Sequence, residues 1–192
     1  MTATPVPPRP AAAAALAGFF REVSPGLLAD VRAAGALSGA DPASAQGEWD
    51  AGALHSCIRG VVSDGGHGDA TADLVDAFHD NVLAQLAPGA DMGTMRGHLA
   101  QRYAEYDGIT RTLGKDGAAR VPAAIAAACA RHMRPADRAT LADTLAPLLE
   151  ALAEGAAATL ADAHHAKPAN GDAVTELKLP PIEPLVRLTA RL

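Results

Sequence analysis

A chain of 192 residues is long enough to bury one sizeable core and short for two full domains. Apolar residues make up 49% and charged residues 20%, which excludes a disordered chain that lacks the apolar content to offset ordering entropy. The formal net charge of -6 and the absence of a Lys/Arg cluster exclude a phosphate-binding surface, so no nucleic-acid partner is expected. Aromatics are only 3%, so packing has to come from Ala and Leu, and close helix–helix contacts follow.

The first ten residues carry four prolines and are expected to form a disordered arm, with structure beginning near Ala11. Ser24-Pro25 reads as an N-cap followed by proline at the first helical position, which predicts a short second helix with Leu27, Leu28 and Val31 on its apolar stripe. Asp41-Pro42 repeats the signal and opens a third helix, ragged before Trp49, with Leu54 and Ile58 on its buried face. The glycines of residues 63–69 predict a loop. Leu74, Ala77, Phe78, Val82 and Leu86 then share one helical face, which Pro88-Gly89 ends. Met95, Leu99, Tyr103 and Tyr106 form the next stripe, broken at residues 114–117.

Residues 118–132 and 137–163 read as two more helices, the last with Leu141, Leu145, Leu148, Leu149 and Leu152 on one face. Pro147 inside that run predicts a kink or a break near Leu145. The expected fold is all-α: a single-domain bundle of about six or seven helices spanning 11–164, between the arm at 1–10 and an extended Pro-containing C-terminal tail at 165–192. No apolar run reaches the roughly 20 residues that a bilayer-spanning helix needs. The start, with Arg21 and Glu22 after an Ala-rich run, reads as cytoplasmic.

Little in the chain carries chemistry. Cys57 and Cys129 lack CxxC spacing and read as reduced, buried thiols. None of the seven histidines falls in HxxxH or ExxH, so neither a metal nor any other cofactor is expected. Asp76 and His79, an i, i+3 pair, read as a surface ion pair, and His164-His165 as solvated surface. His55 and Cys57 at i, i+2 point about 200° apart on a helix and form no dyad. GxSxG, GxxxxGK[ST] and GxGxxG are absent, so the chain is not expected to be an enzyme.

Four stretches in one order resemble the ubiquinol-cytochrome c chaperone family. They are Trp49-Asp50-Ala51-Gly52-Ala53-Leu54-His55, the helix of residues 74–86 with Phe in its middle, Asp91-Met92, and Arg102-Tyr103-Ala104-Glu105-Tyr106-Asp107. The similarity extends over residues 27–153, with Ala100-Gln101 standing where the family has an aromatic-Gly pair. The resemblance implies an all-helical, non-catalytic assembly factor that binds newly made cytochrome b while ubiquinol-cytochrome c reductase is built. It also implies a transient association with the inner-membrane surface. Its client-contacting candidates here are Trp49, Asp50, His55, Arg102, Tyr103 and Tyr106. For Trp49 the residues leave two readings, a core plug beside a loop or a rim aromatic on the client surface. His55 is expected at the edge of its helix's buried face, hydrogen-bonded toward residues 103–107. Two other functions fit the residues: a haem- or small-molecule-binding bundle with His55 or His98 as axial ligand, or a general interaction or regulatory module that binds through its tail.

Overall fold

The computed structural model describes residues 9–86 and 92–165. Six α-helices follow one another: α1 (Arg9–Ala33), α2 (Pro42–Gly65), α3 (Asp69–Leu86), α4 (Met92–Leu113), α5 (Val121–Met133) and α6 (Arg138–His165). A 3-10 turn, Lys115–Arg120, joins α4 to α5, and no strand occurs among the described residues. The all-α bundle is as the periodicities predict. Residues 1–8, Pro88-Gly89, Asp91 and the tail from residue 166 onward lie outside the described residues.

Helix α2 is the centre of the bundle. Every residue from Ala51 to Cys57 is buried, so this stretch has no solvent face, and α2 touches each of the other five α-helices. Its small residues permit this. A Cβ on Gly52 would lie 2.7 Å from Cys129 Sγ of α5, and one on Gly60 would lie 2.0 Å from the Ala153 carbonyl oxygen of α6. Gly60→Ala must therefore push α6 away from α2, and overpacking of this kind costs about 1–3 kcal/mol or more. The expected readout is a lower urea midpoint at unchanged slope, and a wild-type midpoint would show that α2 and α6 do not cross this closely.

The cap at Asp41 forms as its sequence predicts: Asp41 Oδ1 accepts from the Ser44 amide at 2.8 Å, with Pro42 opening the helix. The helix is regular from Pro42, not ragged before Trp49, because Ala45, Glu48 and Trp49 are already packed. It also runs further, through Gly65, so the loop expected over 63–69 shrinks to residues 66–68. Packing of Gly60 and Val61 holds the last turns, Gly66 ends them at φ 70°, and Thr71 Oγ1 donates to the Gly65 carbonyl at 3.1 Å.

Two prolines fail to break their helices. Ser24 is not an N-cap: α1 is continuous through Pro25, and Ser24 is a buried contact to α2. Likewise α6 runs unbroken past Pro147. Both prolines are on exposed positions, where water can hydrate the carbonyl one turn back that loses its amide partner. Helix α1 also starts at Arg9, ahead of Ala11, since Pro10 sits in a first turn whose amides need no helical partner.

The core joins Leu16, Phe20, Leu28, Phe78, Val82, Ile125, Leu141, Leu145 and Leu152. Phe20 of α1 meets Phe78 of α3 edge-on, with centroids 6.3 Å apart. On α3 the buried set is Thr71, Phe78, Val82 and Leu83. Leu74 is only half-buried and Leu86 is 38% exposed, so the face is rotated toward Leu83 relative to the predicted stripe.

Candidate functional site

Where α2, α3 and α4 meet, the sequence candidates form two layers: a buried polar network and an apolar cleft above it. The network starts at Glu48, a residue that sequence reasoning missed. Only 4% exposed, its carboxylate receives Arg102 of α4 through two bonds, Nε to Oε2 at 2.6 Å and Nη2 to Oε1 at 2.7 Å. This forked pairing raises the Arg102 pKa further, through the hydrogen bond to Glu48 first and against the burial of the guanidinium. His98 Nε2 stands 3.7 Å from Glu48 Oε1. On the far side, Glu105 of α4 binds Arg131 and, at 2.8 Å, His132 of α5. Burial opposes ionisation of Glu105, but His132 and Arg131 outweigh it and hold its pKa below the usual carboxylate value. Helices α2, α4 and α5 are thus tied by one chain of charges.

His55 lies inside the bundle, 5% exposed, and not at a groove edge, because α2 has no edge there. Its ring packs against Tyr103 and Tyr106 at centroid distances of 5.5 and 5.1 Å. The expected bond toward residues 103–107 is present as a long contact of 3.4 Å between Nε2 and Asp107 Oδ1. Burial lowers the His55 pKa and Asp107 only partly offsets it, so the ring is neutral at pH 7. Tyr106 is fully buried with its hydroxyl 3.2 Å from Cys129 Sγ. Tyr103 is half-buried, and His79 turns to its hydroxyl at 2.8 Å instead of forming the surface pair expected with Asp76.

Trp49 takes the core-plug reading. It is 1% exposed, and its indole N–H donates to Ser24 Oγ of α1 at 2.9 Å. Both thiols are buried and neither is in a disulfide, and burial pushes each up to about 12, so neither is a thiolate near neutral pH. Among the described residues no group of three or more His, Cys, Asp or Glu side chains is placed to hold a metal ion. No described helix is long and apolar enough to cross a membrane.

The cleft above this network has a volume of about 340 Å³. Leu54, Leu83 and Leu99 form its buried floor, and Leu86, Met95, His98 and Asp50 stand around its mouth. Asp50 is held by a bond from Gln46 Nε2 at 3.0 Å. Burial raises its pKa to about 6, against the smaller lowering effects of Gln46 and Arg32. A folded-state pKa above the unfolded value of 3.8 means that the folded protein binds the extra proton between about pH 4 and 6. Stability from this group is therefore present in acid and lost as pH rises through 6. Asp50→Asn, which keeps an acceptor for Gln46, is expected to gain on the wild type by about 2–3 kcal/mol between pH 4 and 7. Urea titrations of both proteins across that range read the difference, in which the histidines cancel. A constant difference would contradict the burial of this carboxylate.

Of the six candidates, the structure gathers His55, Tyr103 and Tyr106 into one ring cluster, pairs Arg102 with Glu48 and Glu105, puts Asp50 on the cleft, and sends Trp49 toward α1. Glu48 and Glu105 are the partners that were missed. No family model, curated protein or solved structure matches the chain.

Proposed function

We propose that this protein is a non-catalytic assembly chaperone that binds an apolar segment of newly made cytochrome b. One observation carries the reading: the apolar cleft is walled by α2, α3 and α4, the helices that hold the stretches resembling the ubiquinol-cytochrome c chaperone family. Its volume of about 340 Å³ is at the small end of the roughly 300–1,000 Å³ of ligand pockets, and its apolar floor suits a few aliphatic side chains of a client. The buried network beneath gives the cleft a fixed floor, which lowers the ordering cost of binding. In this reading Asp50 touches the client, while His55, Arg102, Tyr103 and Tyr106 hold α2 and α4 together beneath the cleft and Trp49 fastens α2 to α1. No cofactor is part of the reading, and contact with the inner-membrane surface is transient.

Capture of cytochrome b from respiring membranes tests it. Cytochrome b is expected to be enriched over a control helical bundle and lost with Met95→Glu, a change at the cleft mouth that leaves the melting temperature near wild type. No enrichment over the control would refute the chaperone reading.

A haem-binding reading has one observation in its favour, His98 on the cleft wall with Nε2 buried and not hydrogen-bonded. His55, the other candidate ligand, is enclosed by tyrosine rings and contacts Asp107. Haem added at equal concentration is expected to give no Soret band that depends on His98. A band abolished by His98→Ala would favour haem instead.

A further inference from the structure

The cleft pairs an apolar floor, Leu54, Leu83 and Leu99, with a carboxylate at its mouth, Asp50. An occupant that fits has aliphatic side chains on one face and a cation at the edge of that face. The end of this chain has that pattern. After Pro184, Leu185, Leu188 and Leu192 recur at i, i+3 and i+7, which on a helix sets all three within an arc of about 60°. Arg191 follows Leu188 by three positions and lies about 60° to one side of it, at the border of the apolar face. Pro184 stands where a first helical turn accepts proline.

Reach is no obstacle. Residues 166–184, extended, span roughly 60 Å, whereas the longest helix of the bundle, α6 with 28 residues, measures about 42 Å. A tether of this kind gives an effective concentration on the order of a millimolar, so even weak intrinsic affinity fills the cleft.

We propose that residues 185–192 of the chain's own C-terminus dock in the α2/α3/α4 cleft, with the leucine face on the floor and Arg191 against Asp50. The docked segment is an intramolecular stand-in that a client must displace. The displacement rests on the reading of this cleft as the client site, whereas the docking does not.

The test uses the full-length protein with Ala190→Cys carrying a nitroxide; Cys57 and Cys129 are buried and resist labelling under native conditions. Methyl signals of Leu83, Leu99 and Met95 are expected to broaden, to recover with Leu188→Asp, and to stay broadened on dilution. Broadening confined to other residues, or none, overturns the docking, and broadening that vanishes on dilution assigns the cleft to a second copy instead. Leu188→Asp is also expected to raise capture of cytochrome b several-fold. Unchanged capture overturns the competition, whereas normal broadening with no cytochrome b captured by either protein marks failure of the client reading alone.

Discussion

Arg102→Ala is expected to cost about 3–5 kcal/mol of stability, because it strands the Glu48 carboxylate at 4% exposure without its two-bonded partner. His98, 3.7 Å away, offers at most a partial substitute. The size of the effect comes from the charge left behind, not from the worth of the pair. Replacing both partners by methionine removes the stranded charge, so Glu48→Met with Arg102→Met is expected to recover most of the loss. Urea unfolding of the two single variants and the double variant reads this directly. A loss below about 1 kcal/mol for Arg102→Ala would place the pair in solvent-exposed surroundings.

Trp49→Ala is expected to be of similar size, about 3–5 kcal/mol, since it empties the largest fully buried side chain in the protein. It also removes the donor to Ser24 Oγ, the buried bond between α1 and α2. Trp49→Phe keeps most of the volume and separates the two contributions, with an expected loss of about 1–2 kcal/mol. Client capture by Trp49→Ala should fall only as the folded fraction falls. Loss of capture by a fully folded Trp49→Ala would restore this residue to the client surface.

Much of the fold was legible because its signals are local. The Asp41-Pro42 start, the Phe78 and Val82 stripe, and the leucines of α6 each follow from one element's own spacing. The course of α1 through Pro25 was not legible, since it depends on α2 holding Ser24 through Trp49, a contact between residues 25 positions apart. The environment of α2 was misjudged for a related reason. Hydrophobic periodicity looks for one apolar face, and a helix buried all round by Ala, Gly, Ser and Cys at residues 51–57 shows none.

The site divides in the same way. Arg102, Tyr103, Tyr106 and His55 announced themselves as residue types that repay burial with hydrogen bonds or ring contacts. Glu48 did not, because a glutamate in a helix ordinarily faces water and only the position of Arg102 on another helix reverses that expectation. The cleft was invisible to sequence because it is a gap between three helices.

The most direct test of the account is a photo-crosslinking residue at Met95, on the mouth of the cleft, in cells assembling their respiratory chain. A crosslink to newly made cytochrome b is expected, and it is lost when Asp50→Lys is added, because that change sets a cation at the cleft mouth. Crosslinks from Met95 that never include cytochrome b, in a protein that folds normally, would contradict it.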